Sequence, residues 1–306
     1  MTSPLTTPVV LVIFRRPELT RLVFEQIRAA QPRQLFIIAD GPRSSAEADR
    51  VAQTRAVVAE VDWPCDVQRS YAEANMGLRL RFSTGLDWVF SQVERAIILE
   101  DDCVPHPTFF PFCQDMLSRY ADNPQVMHIT GANFGYARPS GGAASYYFTG
   151  FAHVWGWATW RRAWQRYDVT LAAWQDETTR RRVLRRFPWW FRWYWARVFN
   201  AVHDGTISTW GYQWMFACHA NDGLCIMPYE NTIANVGASP EATNTQSAHS
   251  SMINRPLQPI AFPLQHPPAA VLDAAANRFS SVLTWRANTR PGRLYTRLGR
   301  LLQPGL

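Results

Sequence analysis

Short apolar runs of strand length alternate with helix-patterned segments through the first 130 residues, and this alternation constrains the fold more than any other feature of the chain. Val9–Phe14 (VVLVIF) is continuously apolar, which predicts a short strand buried on both faces. Arg15, Arg16 and Pro17 follow; proline suits a first helical turn, and Leu19, Leu22, Val23 and Ile27 then recur at helical spacing. Leu35–Ala39 predicts a second buried strand that ends at Asp40-Gly41-Pro42. Ser44-x-x-Glu47 predicts a capping box for a helix reaching about Val61. A third strand around Val67–Tyr71 leads to the turn Asn75-Met76-Gly77 and a helix through Val93. Ala96–Leu99 is the fourth predicted strand, Thr108–Tyr120 a helix, and Val126–Ile129 the fifth strand. Such a succession predicts an α/β fold with a mostly parallel central sheet flanked by helices. Ligands of these sheets bind at the carboxyl ends of the strands. Arg15-Arg16, Asp40 and the acidic triplet Glu100-Asp101-Asp102 all fall at such ends, so they are expected to share one crevice.

The later sequence changes character. Phe148–Trp164 is rich in aromatics, and Arg180–Arg197 mixes arginines with the run WWFRWYW. From Ser239 the chain reads as loop, with a basic tail in which Leu and Tyr are interleaved. We therefore expect one domain in two halves, residues 1–130 and 131–240, followed by an extension over 241–306.

The chain of 306 residues is 47% hydrophobic and only 18% charged, a composition that supports a real core and argues against disorder. Its net charge of +7 favours anionic partners: nucleotides, nucleic acid or a membrane surface. Lysine is absent, which excludes Walker-type phosphate loops and Schiff-base chemistry. A GxGxxG after the first strand is also absent, which argues against dinucleotide binding. Five cysteines without a CxxC pair suggest reduced, mostly buried thiols. With no basic n-region before the first apolar run and no run of bilayer-spanning length, the expected location is cytoplasmic.

Three adjacent carboxylates repel one another, so their position after the wholly apolar strand Ala96–Leu99 needs a compensating partner. Hard divalent cations take oxygen ligands, and Mg²⁺ or Mn²⁺ is commonly held by one or two carboxylates plus substrate phosphates. A solvated acidic turn is the plain alternative.

The triplet, followed by Pro107, Phe109 and Phe110, resembles the nucleotide-sugar glycosyltransferases of GT-A (Rossmann-like) fold, distantly the N-acetylglucosaminyltransferase I type. The likeness is greater to a bacterial group called hemolytic-protein-like or family 2-like glycosyltransferases. The matching segments are FRRPELT (Phe14–Thr20), ADGPR (Ala39–Arg43), Asn75–Arg79, WGWATWR (Trp155–Arg161) and PYENTIANVG (Pro228–Gly237). They occur in order over roughly residues 8–245. The resemblance implies a nucleotide-sugar (donor) half over 1–130, an acceptor-side half over 131–240, and a metal-dependent, inverting enzyme. It places Phe14, Arg16, Asp40 and Arg79 on the nucleotide, with a UDP-sugar favoured, and Glu100 and Asp101 on the donor sugar. Asp102 becomes the ligand of Mn²⁺ or Mg²⁺. Trp155 and Trp157, with Trp160, would offer faces to the acceptor, a glycan or lipid-linked sugar of bacterial surface polysaccharide. Where the group has a carboxylate base, this chain has Gly211; Asp204, Asp222 and Glu241 are the candidate replacements. Asn244 stands where a histidine is expected, and His249 is the nearby candidate to replace it. A non-catalytic nucleotide-sugar-binding or scaffold protein is the alternative.

The basic, aromatic Arg180–Arg197 segment and the basic tail suggest peripheral association with the inner face of an anionic membrane. No nucleic-acid-binding module is recognisable, so nucleic acid is not an expected partner.

Overall fold

The computed structural model describes residues 5–237, 255–289 and 292. The first strand, β1 (Val9–Ile13), is buried at every position, as its apolar run requires. Helix α1 (Pro17–Ala30) opens on the proline, turns Val23, Phe24 and Ile27 into the core, and stops at Gln31 in the left-handed region. β2 (Gln34–Ala39), α2 (Ser45–Val57), β3 (Asp66–Tyr71), α3 (Leu78–Gln92) and β4 (Arg95–Glu100) complete the regular alternation. The predicted capping box is replaced by another use of the same residues. Ser44 makes no side-chain cap, while Glu47 binds the guanidinium groups of Arg15 and Arg43. α2 also ends earlier than Val61.

After β4 come β5 (Cys103–Pro105), α4 (Phe109–Arg119), β6 (Val126–Thr130), β7 (Tyr146–Thr149), β8 (Trp157–Trp160) and α5 (Arg161–Trp164). Then follow α6 (Glu177–Arg185), α7 (Arg192–His203), α8 (Gly211–Ala220), β9 (Leu224–Pro228), β10 (Ile233–Asn235) and α9 (Ala274–Asn288). The main sheet has the order β3-β2-β1-β4-β8-β6-β9-β7. β3, β2, β1 and β4 are parallel. β8 enters antiparallel between β4 and β6, β9 runs parallel to β6, and β7 closes the far edge antiparallel. The sheet is thus mostly parallel, with helices against it, and β10 pairs with β5 in a separate two-stranded ribbon.

Two buried clusters cover the two faces. On one, α1 and α4 pack on the sheet around Phe24, Phe110 and Met116. On the other, α3, α6, α7 and α8 bury an aromatic mass that includes Trp157, Trp195, Trp210 and Trp214. Here the aromatic-rich segments find their main use. His128 is neutral within this cluster: its Nδ1 accepts from Trp214 Nε1 at 3.1 Å, its Nε2–H donates to the His153 carbonyl at 2.9 Å, and burial pushes it down to about 3. All five cysteines are free, and four are buried.

Candidate functional site

The register of β1 on β4 sets Val12 beside Glu100, so the residues leaving the two strands meet at their carboxyl ends. One guanidinium there serves two carboxylates. Arg16 pairs closely with Asp101 and reaches Asp102 Oδ2 through Nη1 at 3.0 Å. The backbone N–H of Phe14 also donates to Asp101, at 3.3 Å. Three acids against one base leave excess negative charge in a low-dielectric crevice. Burial, and then the charges of Asp102 and Asp101, push Glu100 up to about 8. Burial raises Asp101 to about 6, although Arg16 opposes the rise. For Arg16 itself, burial disfavours the charge, but the two aspartates prevail and hold it above its ordinary range.

Among the described residues no group of three His, Cys, Asp or Glu side chains forms a ready-made metal cage. The donor chemistry nevertheless fits a hard divalent cation: carboxylate oxygens, partly neutralised, at a crevice where substrate oxygens can complete the shell. Asp102 and Asp101 are the carboxylates that could hold one.

Asp102 is braced from behind by the end of the Pro228–Gly237 segment, to which the resemblance assigned no role. The Val236 N–H donates to the Asp102 carbonyl at 2.9 Å. Asn235 Nδ2 approaches Asp102 Oδ1 at 3.5 Å, and Asn235 Oδ1 accepts from the Gly237 N–H at 3.1 Å. A Cβ at residue 237 would fall 2.1 Å from Asp102 Oδ2, so the glycine gives the carboxylate its room. The only sequence signal was the motif containing Asn235 and Gly237.

Asp40 departs from its expected role on the nucleotide. It is buried, and both oxygens are already engaged: Oδ1 accepts from the N–H groups of Gly41 (2.8 Å) and Met76 (2.9 Å). Oδ2 accepts from Asn75 Nδ2 and from the Gly77 N–H, each at 3.0 Å. With its acceptor capacity filled in this way, Asp40 is a clasp between the end of β2 and the turn before α3. Phe14 is partly exposed, with the guanidinium groups of Arg43 and Arg15 at 5.5 and 5.9 Å from its ring centre. Arg79 stands in the first turn of α3, partly exposed, at the same edge of the sheet.

The tryptophans divide. Trp157 is fully buried, against His128 and Trp210; without an exposed face it cannot stack on a sugar, so its expected acceptor role is corrected to a core one. Trp160 is likewise buried, and its Nε1–H donates to the Leu117 carbonyl at 3.1 Å. Trp155 keeps partial exposure at the carboxyl edge, edge-on to Phe134.

The candidate bases separate by topology. α8 runs into β9, which is parallel to the strands of the site. Gly211, at the start of α8, therefore lies at the carboxyl edge, whereas Asp222, in the turn before β9, lies at the opposite edge. Asp222 is also paired with Arg186 at 3.3 Å, and it cannot serve a reaction at the crevice. Asp204 caps the end of α7 on Gly211's side of the sheet and is exposed. Glu241, Asn244 and His249 lie outside the described residues.

No family model and no curated protein sequence matches the chain. Among solved structures, it is similar in part to a cytidylyltransferase from Leptospira borgpetersenii serovar Hardjo-bovis, at 9% identity over 53% of this chain and TM-score 0.34. That match spans 63% of the cytidylyltransferase's own length, less than two thirds. It is similar also to a UDP-glucose pyrophosphorylase complexed with UDP-glucose, at 8% identity over 75% of this chain and 93% of that one, TM-score 0.38. A third is the galactosyltransferase LgtC in complex with donor and acceptor sugar analogues, at 10% identity over 92% and 97% of the two chains, TM-score 0.39.

Proposed function

We propose that the protein is a divalent-cation-dependent glycosyltransferase of GT-A type, of the bacterial group named above. It takes a UDP-type sugar as donor and a glycan or lipid-linked sugar as acceptor, with inversion, in the assembly of bacterial surface polysaccharide. The observation that carries this reading is the meeting of Arg16 with Glu100, Asp101 and Asp102 at the carboxyl ends of two adjacent parallel strands. The crevice holds more negative charge than its one guanidinium offsets, which favours uptake of a cation together with an anionic ligand. Mn²⁺ or Mg²⁺, when bound, offsets the charge of the departing nucleotide diphosphate.

Arg16 then turns its planar fork from the aspartates to the diphosphate, a geometry it matches in two parallel bonds. Asp101, released by Arg16, accepts from a hydroxyl of the donor sugar. Glu100, whose proton affinity is raised by burial and by the two aspartates, faces another. Trp155 supplies the apolar face for the acceptor, and Phe14 and Arg79 flank the nucleotide. Asp204 is the described carboxylate left to take the acceptor's proton.

Thermal stabilisation by UDP-sugars, measured with and without Mn²⁺, tests this. Mn²⁺-dependent stabilisation is expected for the wild type, and none for Asp102→Ala. Full stabilisation of Asp102→Ala would remove the metal assignment. One observation also favours a second reading, a binder without turnover: the position expected to carry the base is Gly211. Among the described residues a Cβ there meets Val154 Cγ2 alone within 4 Å, at 3.7 Å, and a helix start favours an acid, so Gly211→Asp fits. A large gain in transfer on that substitution supports the binder reading. No gain points to Asp204 or another acid.

A further inference from the structure

A second cleft lies at the opposite edge of the sheet from the carboxylate site. α7 begins at Arg192 and runs toward the carboxyl edge; α8 returns and ends beside the start of α7, where Phe187 stacks on His219 at 4.4 Å. The segment between α6 and α7 therefore sits at the amino edge, and α9 joins it there through Asn277, whose Oδ1 accepts from the Gly150 N–H at 2.9 Å. These elements enclose about 680 Å³, lined by Arg185, Arg186, Arg192 and Arg278 together with Trp189 and Trp190, and by no acidic side chain. Arg185, Arg192 and Arg278 form no ion pair among the described residues. Arg186 is already paired with Asp222 at 3.3 Å and donates to the Gly223 carbonyl at 2.8 Å, which leaves its buried Nε without a partner among the described residues. Trp189 is 79% exposed and Trp193, in the first turn of α7, 53%. An exposed indole is disfavoured in water and favoured at a lipid interface, where the ring sits among headgroups and the unpaired Arg185, Arg192 and Arg278 beside it can meet phosphate.

We propose that this face docks on an anionic phospholipid surface, with one headgroup phosphate in the arginine cleft and Trp189 and Trp193 in the interfacial layer. Charge complementarity and the two exposed tryptophans select this occupant. No helix among the described residues is long and apolar enough to cross a bilayer, so the contact is at the surface. The inference does not depend on the proposed activity.

The test is flotation of the full chain with phosphatidylcholine vesicles, with and without phosphatidylglycerol. Binding is expected only to the anionic vesicles, with a blue shift of tryptophan emission, and it weakens with added salt. Combining Arg185→Gln, Arg192→Gln and Arg278→Gln lowers partitioning about 100-fold, from roughly fivefold per surface arginine. Trp189→Ala with Trp193→Ala removes the blue shift and weakens binding; both side chains are exposed, so the melting temperature stays near wild type. Equal binding by these variants, or none by the wild type, overturns the proposal. So does stabilisation by inorganic phosphate or an oligonucleotide without vesicle binding, which would assign a soluble anion. UDP-sugar titration of the same samples reports on the other edge independently.

Discussion

At Glu100, burial and two neighbouring carboxylates raise proton affinity, whereas the unfolded chain releases that proton near 4.5. Between about 4.5 and about 8 the folded state therefore holds more protons, and this group's contribution to stability falls as pH rises. Buried His128 and His219, both held down to about 3, act in the opposite sense below 6.5, where the unfolded chain gains protons. They are common to wild type and variant and cancel in a comparison. In metal-free buffer, Glu100→Gln should gain stability over wild type progressively from pH 5 to pH 8; parallel denaturation midpoints at the two pH values would contradict the assignment. Asn235 gives a second prediction at this scale. It orients Asp102 without touching the ligand, so Asn235→Ala should weaken Mn²⁺-dependent nucleotide-sugar binding about 10- to 100-fold with a small change in melting temperature. Unchanged affinity would reduce Asn235 to a loop residue.

The clasp at Asp40 joins two elements. Asp40→Ala strips four donors of their shared acceptor, and in denaturant titration it should cost about 3 kcal/mol; a loss below about 1 kcal/mol would show that water replaces the carboxylate. Trp214→Ala, in the aromatic layer between α8 and the sheet, should cost about 3–5 kcal/mol by leaving a cavity. These elements also show what the sequence made legible. β1, β2 and β4 were readable because each is a local apolar run, and α1 because its buried residues recur at helical spacing. The meeting of Arg16 with the acidic triplet was readable because both follow such runs. The role of Asp40 was not readable, since three of its four donors sit 35 to 37 residues away. Nor was the place of β8: antiparallel insertion between β4 and β6 is a non-local pairing that WATW does not encode. Tryptophan serves a core and a sugar platform through the same apolar ring, so composition alone did not separate Trp157 from Trp155.

Across the whole molecule, the carboxylate crevice and the arginine cleft sit at opposite ends of the same strands. Nothing described links them directly, so nucleotide-sugar affinity should be the same with and without saturating anionic vesicles. A change of more than about threefold, or 0.6 kcal/mol, would reveal coupling through the sheet. The polarity of the sheet has a further consequence for anything the crevice acts on. Strands such as β2, with six residues, span roughly 20 Å, so docking by the tryptophan face would hold the crevice at least that far above the headgroups. The sheet would then work as a height gauge: a short headgroup-linked sugar would remain below the crevice, while a chain already several sugars long, or a molecule free in the water, would rise to it.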